Sequence, residues 1–424
     1  MSARFKELQV KAQLAKDSTK RLAVLPSLTK NRALRAVAAA LRENQREILD
    51  ANEEDYAEAR ASGMSEAMLD RLLLTPARIE AMATDVLSIV ALPDPVGQVF
   101  GSRTLPNGLQ IARRRVPLGV IAAIYESRPN VTVDISSLCL KAGNATLLRG
   151  GKEARRSNKA LATIIQDACR AEGIPEGAVQ FIESTDRALV NEMLKMNRYI
   201  DLIIPRGRAE LIRLVAENAT MAVVTGGIGV CHTYVDKSAD IEKAIRIVDN
   251  AKVQRPTVCN ALDCVLVHRD VAAEFLPRLA KLWQSSGVEM RCDPVALDVL
   301  RQAGSTYGIP AADSDWGTEF LALIAAVKVV DSLDAALEHI AMYGSGHSEA
   351  IITDRYSAAR RFLNEVDAAC VYVNASTRFT DGSQFGLGAE IGISTQKFHA
   401  RGPMGLEEIT SYKWVIYGSG QVRE

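Results

Sequence analysis

Several common chemistries are missing from this chain of 424 residues. Its five histidines, at 232, 268, 339, 347 and 399, form neither His-x-His nor His-Glu-x-x-His, and its seven cysteines contain no Cys-x-x-Cys pair. Zinc ribbons and zincin-type catalysis are thereby excluded, and no metal is expected. An odd number of unpaired-looking cysteines builds no disulfide framework and suits a reducing cytosol. Charge of one sign is also missing: 51 Lys and Arg balance 51 Asp and Glu. No strong field therefore draws the chain to nucleic acid or to an anionic membrane. There is no run of 18 apolar residues, and the start Met-Ser-Ala-Arg-Phe-Lys-Glu has no apolar core behind its charges. A membrane span and a secretory signal are not expected, and a cytoplasmic location is. The glycine-flanked serines at 345 and 419 do not make a Gly-x-Ser-x-Gly elbow, so they read as turns rather than hydrolase nucleophiles.

What is present reads as α/β. Residues 3 to 92 are Ala-, Leu-, Arg- and Glu-rich, with apolar positions three and four apart, which predicts helices with starts at Ser65 and at Thr75-Pro76. Two strand-like runs, 99–105 and 109–116, flank Asn107-Gly108 and predict a hairpin. Such a hairpin has no core of its own, so we expect it to pair with another subunit; folding back on its own domain is the alternative. From 118 to 225 five apolar runs (118–125, 145–149, 178–182, 200–204, 221–225) alternate with helical stretches, the pattern of a doubly wound parallel sheet. A second α/β unit runs from 231 to about 402, and a last strand-like run, 410–418, needs a partner edge. The expected domains are 1–98 with 117–230 for a nucleotide, 231–403 for catalysis, and 99–116 with 404–424 as oligomerisation strands.

Open parallel sheets bind ligands at the carboxyl ends of their strands. Two such ends carry Arg149-Gly-Gly-Lys152 and Pro205-Arg-Gly-Arg208. Glycine lets backbone approach a ligand and cations hold phosphate, so Arg149, Gly151, Lys152, Arg206 and Gly207 are candidate phosphate contacts. Neither Gly-x-Gly-x-x-Gly nor a Walker loop occurs in this region, so a nucleotide must be held differently from the Rossmann or P-loop manner. In the second unit Cys259 stands between the end of a helix-patterned stretch and a buried strand-like run. Lys252 and Arg255 lie close by, and cations favour the nucleophilic thiolate. A small buried hydrophobe is the bland reading of the same cysteine. A thiol downstream of phosphate-holding loops suggests a covalent thioacyl intermediate and a nucleotide cofactor.

Six segments carry a resemblance. They are Ile124-Tyr-Glu-Ser-Arg-Pro-Asn-Val-Thr132, Lys141-Ala-Gly-Asn-Ala-Thr-Leu-Leu-Arg-Gly-Gly-Lys-Glu-Ala154, Asp201-Leu-Ile-Ile-Pro-Arg-Gly207, Val253-Gln-Arg-Pro-Thr-Val-Cys-Asn260, Tyr343-Gly-Ser-Gly-His-Ser-Glu349 and His399-Ala-Arg-Gly-Pro-Met-Gly-Leu-Glu407. In this order, over nearly the full length, the chain resembles the aldehyde dehydrogenase superfamily, and within it the branch that reduces γ-glutamyl phosphate to glutamate 5-semialdehyde. The resemblance implies an aldehyde dehydrogenase-like α/β fold with two doubly wound parallel-sheet domains and a small β-hairpin for oligomerisation. It implies NADPH as cofactor, glutamyl 5-phosphate as substrate, a place in proline synthesis, and a homodimer or homotetramer, with association with glutamate kinase as a further partner. Cys259 would attack the acyl carbonyl, with its own backbone N–H and the Asn130 side chain receiving the oxyanion; Asn130 also suits a plain turn after Pro129. Gly226 would line the cofactor site and Glu319 would meet the nicotinamide ribose. The cations of the Arg149–Arg156 stretch favour the 2′-phosphate of NADP. Arg128, Lys252, Arg255 and Arg401 would hold the substrate's phosphate and α-carboxylate.

One departure from the wider superfamily matters. Hydrolytic members carry a glutamate base before Leu-Gly-Gly; here the matching position is Val224 in Val223-Val-Thr-Gly-Gly227. Without that base, water is not activated against a thioester. A CoA-acylating dehydrogenase also lacks the base and is the nearest rival. A non-catalytic relative that binds a glutamate kinase is the rival from another class.

Overall fold

The structure is a computed structural model that describes residues 3–226 and 228–423. The chain divides into two compact units, 1–226 with 386–392 and 403–424, and 227–385 with 393–402. The division falls at 226/227 rather than 230/231, and seven residues near the end of the chain, 386–392, return to the first unit.

The first unit opens with five helices, Ala3–Leu22, Ser27–Glu43, Gln45–Ala61, Glu66–Leu72 and Pro76–Ala91. Ser65 and Thr75 precede the last two, and the Thr75 hydroxyl accepts from the Arg78 N–H, a cap bond that satisfies one of the orphan donors of the first turn. A five-stranded parallel sheet follows. Its spatial order is Val179–Phe181, Ala145–Gly150, Val120–Tyr125, Leu202–Arg206, Ala222–Val223. Every residue of Val120–Tyr125 is buried, as a strand covered on both faces requires. The helix Arg155–Ala171 is tied to the N-terminal helices through Asp55, which accepts from the Ser157 N–H and hydroxyl at 2.8 Å each.

The strands Val99–Thr104 and Gln110–Pro117 are antiparallel, as the Asn-Gly pair predicts. The turn differs from a two-residue one. The Leu105 and Leu109 backbones close it at 2.8 Å, and only Gly108 is left-handed, at φ 83°. Asn107 stays on the ordinary side and its side chain accepts from the Leu109 N–H, so this is a three-residue loop ending in a glycine bulge. The partner of the hairpin within the chain is the strand Thr410–Tyr417, antiparallel to Gln110–Pro117 along its whole length. The last strand thus finds its edge inside its own unit.

The second unit is built on a seven-stranded parallel sheet. The order is Ile309–Pro310, Glu289–Cys292, Ile324–Val330, Leu262–His268, Cys231–Val235, Ser348–Ile352, Cys370–Val373. Cys231–Val235 and Glu289–Cys292 were not legible from pattern. The first carries a buried histidine and threonine; the second alternates charged and apolar residues over only four positions. Among the described residues no helix is long and apolar enough to cross a membrane.

Candidate active site

Cys259 lies in the turn that joins the helix Ile241–Val253 to the strand Leu262–His268, and it is half-buried. Its backbone is enclosed. The Cys231 thiol donates to the Cys259 carbonyl at 3.3 Å. Gly229 packs against the same group so closely that a Cβ there would stand 1.7 Å from the carbonyl oxygen. The segment holding Gly229 is itself pinned: its N–H donates to Glu319 Oε1 at 3.0 Å, and the Val230 N–H donates to Ser345 Oγ at 2.9 Å. On the other side Asn260 donates to the Thr380 carbonyl at 2.7 Å, and its own carbonyl accepts from the Thr377 hydroxyl at 2.8 Å. Two distant stretches, 229–231 and 377–380, therefore hold one turn, a restraint of the kind that would position a nucleophile before attack.

The cations expected around the thiol separate on inspection. Lys252 is fully buried, with its ammonium on the Ala322 carbonyl at 3.0 Å and on Asp263 at 3.4 Å. Burial lowers its pKa and pushes that of Asp263 up to about 6 against the pull of the lysine. This is a core pair, and the expectation that Lys252 meets substrate is corrected: a desolvated ammonium already holding two acceptors is not offered to a ligand. Arg401 pairs with Asp367 at 2.8 Å in the loop after the helix Tyr356–Glu365. Arg255 is exposed at the Cys259 turn. A cation that sequence reasoning missed, Arg378, stands here too. Its Nε donates to Gln254 at 2.8 Å and its Nη1 donates to Asn260. Burial lowers the pKa of Arg378, and nearby Arg255 lowers it further. The available signal was a cation in a Ser-Thr-rich loop just past the strand Cys370–Val373.

In the first unit Arg149 is buried at the end of its strand, with Nη2 on the Thr185 carbonyl at 2.9 Å and Nε without a partner among the described residues. Its pKa is lowered by burial, offset in part by Glu153. Lys152 is exposed beside it. Gly151 faces the Glu153 carboxylate, which also accepts from the Ser127 N–H at 2.7 Å and holds Ser127 at φ 44°. Arg206 likewise keeps a buried Nε without a partner. Gly207 lies against Glu126, whose carboxylate accepts from the Arg208 N–H at 3.1 Å. The start of the helix Ala209–Asn218, expected to take a phosphate, thus already carries a carboxylate. Asn130 is exposed on the first turn of the helix Asn130–Lys141 and donates to Asp134 at 2.9 Å. Asp134 is pushed up to about 7, chiefly by burial. Arg128 precedes that helix, and its carbonyl accepts from the Val131 N–H. Gly226 lies in the loop after Ala222–Val223; Gly227 lies outside the described residues.

A profile of the aldehyde dehydrogenase family matches residues 2–297. The γ-glutamyl phosphate reductase of Dehalococcoides mccartyi is 61% identical over 417 residues, covering 98% of each chain. That of Salmonella newport is 54% identical over 409 residues, 96% of this chain and 98% of its own. The crystal structure of the Thermotoga maritima γ-glutamyl phosphate reductase superposes with a TM-score of 0.95 at 49% identity, over 99% of this chain and all of that one. The chain belongs to the aldehyde dehydrogenase family, among its γ-glutamyl phosphate reductases. An acetylating aldehyde dehydrogenase from Geobacillus thermoglucosidasius shares the fold, with a TM-score of 0.73 at 17% identity.

Val224, which the resemblance sets at the place of the hydrolytic glutamate, is 2% exposed. A buried valine supplies no proton acceptor for water. Far along the sequence from one another, His232, Cys264 and His339 come together with donor atoms within 4.8 Å. Cys264 Sγ and His339 Nε2 are 3.7 Å apart, and Glu349 meets His232 Nδ1 at 3.0 Å, so the group forms a buried thiol–imidazole–carboxylate network. No spacing motif could have revealed it. The closest contact at Cys259 yields a prediction. Gly229→Ala forces the Cys259 carbonyl aside, and turnover is expected to fall about 100-fold or more. The check is kcat alongside the rate of Cys259 alkylation; an unchanged kcat would refute the buttress.

Proposed function

We propose that this chain reduces L-glutamyl 5-phosphate to L-glutamate 5-semialdehyde and phosphate with NADPH, the second step of proline synthesis from glutamate. The observation that carries the reading is the enclosed Cys259 turn in a γ-glutamyl phosphate reductase whose hydrolytic position is a buried valine. Cys259 adds to the acyl carbonyl, and phosphate leaves to give a thioester on its sulfur. The Cys259 N–H and Asn130 Nδ2 are the donors we assign to the oxyanion. With Val224 in place of a base, the thioester persists until it is reduced or returned to phosphate.

The residues of the first unit fit a nicotinamide dinucleotide. Arg149 and Arg206 each hold a buried Nε that no protein acceptor takes, at the carboxyl ends of parallel strands. Bound NADPH supplies the hydride for the thioester. Arg149 and exposed Lys152 would meet its 2′-phosphate, with Gly151, Arg206, Gly207 and Gly226 along the rest. Glu319 would meet the nicotinamide ribose while its other role, holding Gly229, continues. Arg128, Arg255 and Arg401 remain our candidates for the substrate anions. A CoA-acylating activity is the second reading; the acetylating aldehyde dehydrogenase shares only the fold.

The outer face of the strand Thr410–Tyr417 suggests assembly. It is an edge strand, and Tyr412, Trp414 and Ile416 on one face are each 46–57% exposed. We infer that this edge joins a second copy in a homodimer or homotetramer, in the cytoplasm.

Three measurements test these readings. Cys259→Ala is expected to lose more than about 10³-fold in the oxidation of glutamate semialdehyde by NADP⁺ and phosphate; retained activity rejects the mechanism, and CoA replacing phosphate as acceptor favours the second reading. Lys152→Ala is expected to raise KM for NADPH about tenfold and leave that for NADH in place; equal effects remove the cofactor argument. Trp414→Glu with Ile416→Glu is expected to lower the mass seen by light scattering, and an unchanged mass refutes the edge.

A further inference from the structure

A cleft of about 280 Å³ lies within the second unit, lined by Asn250, Gln254, Arg378, Asp381 and Ser383 among others. Drug-sized ligands need ~300–1,000 Å³, so this space suits a fragment with several polar groups. One wall touches the nucleophile's turn directly, since Arg378 donates to Asn260, the residue after Cys259. Another wall is the C-terminal end of the 13-residue helix Ile241–Val253, where Asn250 and Gln254 stand. That end carries partial negative charge.

The charges in the cleft are of both signs. Arg378 is held by Gln254 and Asn260 through Nε and Nη1, which fixes the plane of its guanidinium. It lies within electrostatic range of the positive Arg255 and of Asp381. Two neighbouring arginines call for an anion. Asp381 is oriented by its own turn: Oδ1 accepts from the Ser383 N–H at 2.9 Å and from the Gln384 N–H at 3.4 Å. A carboxylate and a helix C-terminus beside an arginine disfavour a phosphate dianion. They favour a ligand that carries a carboxylate and an ammonium together.

We propose that this cleft is the subsite for the α-amino-acid head of the substrate, with Arg378 binding the α-carboxylate and Asp381 the α-ammonium. The proposal rests on the glutamyl reading above and deepens it. Three carbon–carbon bonds separate the α-carbon of a glutamyl group from its acyl carbon, so the head group must dock close to the thiol. Asn260, bonded to both Cys259 and Arg378, spans that short interval. Docking the head then sets where the acyl carbon meets Cys259, and Arg378 and Asp381 select an amino acid over other acyl chains.

The test runs in the oxidative direction, with NADP⁺ and phosphate saturating. Wild-type turnover of glutamate semialdehyde comes first; its absence refutes the glutamyl reading itself, before any variant is compared. Arg378→Gln is expected to raise KM for the semialdehyde about 30-fold with KM for phosphate unchanged. A rise in KM for phosphate instead overturns the assignment, and so does no change in either. Because Arg378 also supports Asn260, a second variant is needed. Asp381→Asn keeps the Oδ1 acceptor that its turn uses. Wild type is expected to favour glutamate semialdehyde over 5-oxopentanoate, which lacks the amino group, by about 30-fold. Asp381→Asn should reduce that preference to about threefold or less, with the Cys259 alkylation rate unchanged. Equal preference in the two proteins overturns the proposal.

Discussion

The contact between Gly229 and the Cys259 carbonyl governs the arrangement of the second unit around Cys259. No side chain fits between them, so the segment before the strand Cys231–Val235 and the turn before Leu262–His268 lie back to back. These two strands are neighbours in the parallel sheet, and their amino ends are thereby locked together. The carbonyl accepts from the Cys231 thiol of a buried strand, a weak donor, so close packing rather than hydrogen bonding does most of the holding. Glu319 then acquires a structural reason for its place, since it anchors Gly229 from a different loop. Asn260 extends the lock to the 376–381 loop. On the proposed reading, a nucleophile on a flexible turn would lose positional entropy at each encounter, and here that loss would be met once, on folding.

The location of Cys259 also explains what the sequence could and could not reveal. Loops at the carboxyl ends of strands were found by rule, and Arg149 and Arg206 stand at those ends. Cys259 stands at an amino end, after the C-terminus of a helix, where the same rule does not look. Negative charge is not favoured at a helix C-terminus. Arg255 and Arg378 supply the opposite sign there, and only one of the two is near Cys259 in sequence. The resemblance located the thiol; periodicity alone would have left it among the buried cysteines.

The strand and helix pattern of the first unit was legible because the central strands of its parallel sheet are continuous apolar runs covered on both faces. Lys252 was misread for a related reason. A lysine seven residues before a reactive cysteine looks available, yet at 3.6 residues per turn it falls on the inner face of its helix, against Asp263. Sequence proximity says nothing about face. The pairs Gly229–Cys259, Asn260–Arg378 and Lys252–Asp263 are fixed by sheet order and loop closure, which local pattern does not encode.

The two cation-bearing loops of the first unit carry their own carboxylates. Glu153 takes the Ser127 N–H, and Glu126 takes the Arg208 N–H at the start of a helix. In a Rossmann site such N–H groups receive the pyrophosphate. Here that role is already filled, which agrees with the missing Gly-x-Gly-x-x-Gly. On the proposed reading the cofactor's phosphates must be met by side-chain cations, and the buried Nε atoms of Arg149 and Arg206 are the donors still owed acceptors. Cationic side chains are long and screened by salt where exposed. On that reading the absence of the fingerprint is a statement about how the phosphates are held, and it would leave the choice of cofactor to arginine and lysine rather than to glycine.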